Sequence, residues 1–139
     1  MKKLLIIGAN GAIGKALSNE ANDFYENIIE VDMIFNNSVK VPKIKRICLD
    51  LSNNEDIKSL KEEIINIDSK ELDIIFAQRP FLQLKPNSDT ADIFNAIEIS
   101  LIASIKIIEL LVNTNTLKKV IFLGSINSEF VCDQPLSYM

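Results

Sequence analysis

The chain has 139 residues and 47% hydrophobic content, enough to bury the core of one domain spanning 1–139. Its 15 basic and 19 acidic residues leave a net charge of −4, without the basic stripe or high pI of a nucleic-acid surface. Histidine is absent from the sequence, which removes Ser-His-Asp hydrolysis and most zinc chemistry, so no metal site is expected.

The opening MKKLLIIGANG starts like an export signal, but its apolar run is interrupted too early and reads as a strand. The most apolar segment, IEISLIASIKIIELLV, carries Glu98, Lys106 and Glu109, so it lacks the roughly 18 uncharged residues of a membrane span. Cys48 and Cys132, without an export signal, fit reduced thiols in a cytoplasm and read as filler.

In chain order, KLLII (Lys3 to Ile7) is a buried strand, and a helix follows from about Gly11 to Tyr25 with an inner face of Ile13, Leu17, Ala21 and Phe24. NIIEVD is the second strand, ending at Asp32; MIFNNSVKVPK is an irregular connection, and IKRICLD is the third strand, closing at Asp50. SNNE forms a capping box of Ser52 and Glu55 before a helix to about Ile67, whose apolar face is Ile57, Leu60, Ile64 and Ile67. LDIIFA is the fourth strand, and QRPFLQLKPNSD is a loop punctuated by Pro80 and Pro86. A long helix then runs from about Thr90 to Val112, apolar on most of its circumference, before a fifth strand, KKVIFLG, and a final loop. This alternation predicts a parallel sheet with helices on both faces and ligands outside the carboxyl ends of its strands.

After the first strand stands GANGAIG, with Gly8, Gly11 and Gly14 opening the helix. Gly8 permits the tight turn, Gly11 the approach of a diphosphate to backbone, and Gly14 close packing of helix on sheet. The free N–H groups of the helix start would face the diphosphate. Asp32, at the separation a dinucleotide site requires, would accept from ribose hydroxyls and repel a 2′-phosphate, which favours NAD over NADP. The bland alternative for Asp32 is a solvated strand end. Asp50, followed by Leu51, could accept from the adenine amino group or simply be a turn acid.

GANGAIG, EVD, LDLS, and Ser125 with Tyr138 thirteen positions later resemble, over essentially the whole chain, the short-chain dehydrogenase/reductase family. The glycine spacing is nearer the family's extended and atypical branches. The resemblance implies a Rossmann-type, three-layer α/β/α sheet of order 3-2-1-4-5, without the C-terminal strands of a full-length member. It implies an NAD(P)-dependent oxidoreductase that moves a hydride between nicotinamide and a carbonyl or hydroxyl of a small-molecule substrate. Tyr138 would be the acid/base of YxxxK and Ser125 would orient the substrate oxygen, while a neighbouring cation would favour the phenolate. The motif lysine would fall four positions after Tyr138, beyond Met139, so the chain is expected to be incomplete. The implied cofactor-binding set is Gly8, Asn10, Gly11, Ile13, Gly14, Asp32, Asp50, Leu51, Ala77 and Gln78.

Two departures stand out: AQRP, Ala77 to Pro80, replaces the family's alanine-rich turn, and Ser100 stands where a relay asparagine is expected. These departures motivate a non-catalytic NAD-binding sensor as one alternative, and the extended-type glycine spacing a nucleotide-sugar epimerase or dehydratase as the other. An unrelated flavodoxin-like or nucleotide-binding domain ranks last, since no GxxxxGK[ST] loop is present. The helix around residues 90–112 is the expected homo-oligomer surface, the competing expectation being burial under a further C-terminal segment.

Overall fold

The computed structural model describes residues 2–36, 41–65, 71–79 and 87–123. The elements are β1 (Lys2–Ile7), α1 (Ala12–Ala21), β2 (Asn27–Asp32), β3 (Ile44–Cys48), α2 (Asn54–Ile65), β4 (Glu71–Phe76), α3 (Thr90–Ile97), a π-helical turn (Glu98–Ile102), α4 (Ala103–Val112) and β5 (Leu117–Phe122). The strands form one parallel sheet in the order β3-β2-β1-β4-β5. This is the expected Rossmann-type arrangement. β1 lies at its centre because LLII is buried on both faces, the pattern a parallel interior strand requires.

One face of the sheet carries Leu5, Ile7, Ile29, Val31, Leu72, Ile74 and Phe76, packed against Ile57, Leu60 and Ile64 of α2 and Ala103, Ile107 and Leu111 of α4. The opposite face carries Leu4, Ile6, Ile28 and Ile75, covered by Ala21, Leu17 and Tyr25. Three layers result. The edge at β5 is thinly covered by the described residues, with Val120, Ile121 and Phe122 exposed although the Phe76 and Phe122 rings stack at 4.8 Å.

Four local expectations are corrected. The inner face of α1 is Gly14, Ser18 and Ala21, with Leu17 half-buried, whereas Ile13 is 61% and Phe24 78% exposed. The helix ends at Ala21, not near Tyr25, and the chain turns there through amides of Phe24 and Tyr25 donating to Ala21 O. Close packing selects the smallest side chains, and that requirement overrides the apolar row. The expected capping box is absent: Asn53 Oδ1 accepts from the amides of Glu55 and Asp56, while Ser52 hydrogen-bonds Asp50 and Glu55 pairs with Lys58. The single long helix is interrupted by the π-turn, where Ala103 N donates to Glu98 O five residues back. Ile67, Pro80, Pro86 and Cys132 lie outside the described residues.

Candidate functional site

At the carboxyl end of β1 the chain turns at Gly8, whose φ of +84° lies in the left-handed region. A Cβ there would sit 2.5 Å from the backbone N and Cα of Gln78, so the turn is pressed against the second residue after β4. The amides of Gly8 and Ala9 both donate to Val31 O, at 2.8 and 3.1 Å, which ties the loop to β2. Gly14 is equally constrained, because its Cβ would lie 2.3 Å from Gly8 O and 2.7 Å from Ala9 Cα.

Gly11 differs. Among the described residues an added Cβ would meet nothing closer than Gly8 O at 3.5 Å, and its φ of −68° suits any residue. The packing of the described residues gives no reason for glycine here. Gly11 caps α1 without a side chain, and Lys15 N is the first amide of the helix to bond back, to Gly11 O at 2.9 Å. Among the described residues no acceptor stands opposite the amides of Ala12, Ile13 and Gly14. They form a donor set at the positive end of a helix, the arrangement that holds a phosphate group.

Asp32 closes β2 beside this loop. Its Oδ2 accepts from Asn10 N at 2.8 Å and its Oδ1 from Met33 N at 2.7 Å. A carboxylate offers about four acceptor positions, so each oxygen retains capacity for one more donor. The Asn10 bond fixes the acid relative to the glycine loop and sets its remaining acceptor capacity beside the amides of the helix start.

Asp50, two residues past β3, accepts at Oδ1 from the hydroxyl and the amide of Ser52, at 2.6 and 2.9 Å. Those bonds, led by the hydroxyl, hold its carboxyl below the ordinary value of 3.8. Its own amide donates to Asp56 Oδ2 at 2.9 Å, and the half-buried Leu51 packs on the core beneath. Ala77 continues the ladder through its amide to Ile7 O at 2.8 Å.

The structure therefore gathers Gly8, Asn10, Gly11, Ile13 through its amide, Gly14 and Asp32 around one loop, with Ala77 and Gln78 bordering it from β4. Ser125 and Tyr138 lie outside the described residues. The Ile13 side chain lines a depression of about 360 Å³ with Ala12, Ala16, Leu17 and Glu20. Its lining is carbon apart from the Glu20 carboxylate, so it is distinct from the amides of the glycine loop. Two functional links had no signature in residue types: the Asn10 amide on Asp32, and the Gln78 amide, which reaches Ser104 Oγ at 2.6 Å. The serines at positions 100 and 104 of a largely apolar helix are the signal the sequence offered for the second.

No family model and no curated protein matches the sequence. Solved structures do match. A short chain dehydrogenase family protein from Francisella tularensis superposes with a TM-score of 0.83 at 23% identity, over 99% of this chain and 57% of its own. A short chain dehydrogenase from Leptospira borgpetersenii with bound NAD+ gives 0.77 at 19% identity, over 99% of this chain and 58% of its own. The chain has the short-chain dehydrogenase/reductase fold. A short-chain dehydrogenase/reductase from Brucella melitensis adds a TM-score of 0.81 at 21% identity, over 99% of this chain and 62% of its own. The chain thus spans 57%, 58% and 62% of these short-chain dehydrogenase structures.

Proposed function

We propose that this chain is the dinucleotide-binding part of an NAD-dependent short-chain dehydrogenase/reductase acting on a carbonyl or hydroxyl of a small molecule. The observation that carries the reading is the pairing at the glycine loop: Gly11 stands under space that the described residues leave open, and Asn10 N holds Asp32 beside it. The residues fit the group. Amides from Ala12 to Gly14 hold the diphosphate, Asp32 accepts ribose hydroxyls, Asp50 with Leu51 meets the adenine, and Ala77 and Gln78 border the nicotinamide half. When bound, the nicotinamide gives or takes a hydride. Tyr138 then exchanges a proton with the substrate oxygen that Ser125 orients.

The negative charge of Asp32 opposes a 2′-phosphate, so NAD is preferred to NADP. Calorimetry with both dinucleotides tests this. NAD is expected to bind tighter than NADP, and Asp32→Ala to weaken NAD by about 10- to 100-fold, the loss of charge-assisted hydrogen bonds. Tighter NADP binding by the unmodified chain removes the role of Asp32; a folded sample with no dinucleotide affinity removes the whole reading.

A specific contact favours a second reading, an NAD-binding relative without turnover. Ser100 Oγ donates its proton to Ala96 O at 2.5 Å, which leaves that hydroxyl only as an acceptor at the expected relay position. Hydride transfer by the full-length protein eliminates this reading. The glycine spacing leaves nucleotide-sugar epimerisation or dehydration within the same hydride chemistry.

The long helix exposes Ile93, Phe94, Ile97, Leu101 and Ile105, and self-association through this face in a reducing, cytoplasmic setting belongs to the same proposal. Sedimentation over a concentration series checks it.

A further inference from the structure

Gln78 follows β4 by two positions and touches two parts of the molecule at once. Its backbone is the wall against which Gly8 turns, since a Cβ on Gly8 would lie 2.5 Å from Gln78 N and Cα. Its side chain enters the long helix. Nε2 donates to Ser104 Oγ at 2.6 Å and lies 3.4 and 3.5 Å from the carbonyl oxygens of Ile99 and Ser100.

Those acceptors sit in and just after the π-turn, where the wider hydrogen-bond ring disturbs the usual pairing of helix carbonyls. Serine hydroxyls supply replacement donors: Ser100 Oγ to Ala96 O at 2.5 Å and Ser104 Oγ to Ser100 O at 3.2 Å. Ser104 is fully buried and has one proton, which it gives to Ser100 O. Its oxygen must accept from elsewhere, and Gln78 is the donor. The relay therefore runs in one direction, from Gln78 to Ser104 to the π-turn. The other end of the amide, Oε1, is buried with no hydrogen-bond partner among the described residues. Among those residues Gln78 is anchored through Nε2 and its backbone, so a shift of that backbone is felt at the helix.

We propose that Gln78 is a positioning residue that couples the glycine loop to the π-turn, so that a dinucleotide seated on the loop tightens the helix over Glu98–Ile102. This rests on the dinucleotide reading of the loop. A ligand that restricts the Gly8 turn restricts the Gln78 backbone, and opening of the π-turn requires the Gln78 amide to let go. Ordering at one end lowers the cost of ordering at the other, and the coupling is reciprocal.

Amide hydrogen exchange on the 139-residue chain, with and without saturating NAD, tests the coupling in wild type, Gln78→Leu and Ser104→Ala. In wild type, NAD is expected to slow exchange about tenfold both at residues 9–15 and at 98–104, a range resolvable as local opening. In Gln78→Leu, NAD still protects the loop, but residues 98–104 exchange faster and no longer respond to it. NAD affinity falls by about threefold to tenfold, as reciprocity requires. Ser104→Ala, which removes the middle of the relay and leaves Gln78 beside the loop, loses the helix response in the same way; it decides the question if Gln78→Leu does not fold. The coupling is overturned if NAD protects the wild-type loop and leaves 98–104 unchanged, or if either folded variant keeps the full helix response. No protection anywhere in wild type removes the dinucleotide reading and the coupling with it, a result distinguishable from failure of the coupling alone.

Discussion

The turn after β1 and the turn after β4 lie side by side at the middle of the sheet, yet they are fastened by opposite means. The first is held by the absence of atoms: Gly8 and Gly14 let backbone press on backbone at distances no Cβ could enter. The second is held by one long polar side chain, Gln78, reaching a serine 26 residues away. A turn made by missing atoms writes its requirement into residue identity, whereas a turn made by a distant hydrogen bond leaves no local mark. The first half of the site is consequently rigid by packing, and the second by a relay that one substitution can cut.

The sharpest way to break the first turn is Gly14→Ala. Its methyl would enter the space of Gly8 O, 2.3 Å away, and both neighbours are backbone that cannot step aside. A loss of about 3 kcal/mol or more in denaturant unfolding is expected, at the upper end for overpacking. Gly11→Ala separates folding from binding in the same loop. Its methyl meets no atom within 3.4 Å, so the unfolding midpoint should stay close to wild type while NAD affinity drops by about tenfold or more. Equal damage to folding from both substitutions would erase the distinction drawn between these glycines.

Close approach of α1 has a second consequence on the face beneath it. With Gly14, Ser18 and Ala21 inward, the Ser18 hydroxyl comes within 2.6 Å of Glu30 Oε1, and Arg46 Nε of β3 reaches Glu30 Oε2 at 2.6 Å. Glu30 is buried and Arg46 is partly exposed, with its guanidinium over the Phe35 ring. Arg46→Met strands a buried carboxylate, but the remaining Ser18 bond and the access of water on the Arg46 side reduce the usual penalty to about 1–2 kcal/mol. Urea unfolding measures it, and adding Glu30→Gln should recover part of the loss. An unchanged midpoint for Arg46→Met would show that the pair contributes nothing.

Much of this contrast was legible before any coordinates. The βαβ rhythm predicted the order of the elements, and the glycine spacing with Asp32 predicted a tight turn with the acid beside it, because each has a steric or electrostatic cause that residue types carry. The face of α1 was misread because Ile13, Leu17, Ala21 and Phe24 form the better apolar row, while the helix is seated by its smallest residues. The start of α2 was misread because Ser52 and Asn53 are both competent caps, and Asp50 draws Ser52 away. The contact of Gln78 with the π-turn was illegible because it joins distant segments. The Asn10 bond to Asp32 comes from a backbone amide, which every residue except proline possesses. Ser125 and Tyr138 lie among residues 124–139, which the structure does not describe, so the reaction chemistry still stands on their spacing.

The two halves that differ at the site are bolted together at the opposite end of the sheet. Asp73 Oδ2 of β4 accepts from Tyr25 OH at 2.8 Å, just past α1, and pairs at 3.0 Å with Lys2 Nζ of β1, which sits 5.0 Å from the Tyr25 ring centre. Burial, then the bond to Asp73, raises the Tyr25 phenol above its ordinary 10.0, and the bond to Asp73 raises Lys2 above 10.5. In both cases the folded protein holds its proton to higher pH than the unfolded chain does. Stability from this junction is therefore complete below pH 10 and is lost as pH climbs through the raised values. Tyr25→Phe should cost about 1 kcal/mol at neutral pH, one hydrogen bond to a buried carboxylate, and should show a shallower decline above pH 10 than wild type. Because Lys2 is exposed and surface lysines titrate in the same range, the difference between the two alkaline limbs is the informative quantity, and it is the smallest effect expected here. Parallel limbs would mean that the phenol only fills space, leaving the joint between the halves to the strand ladder of β1 and β4.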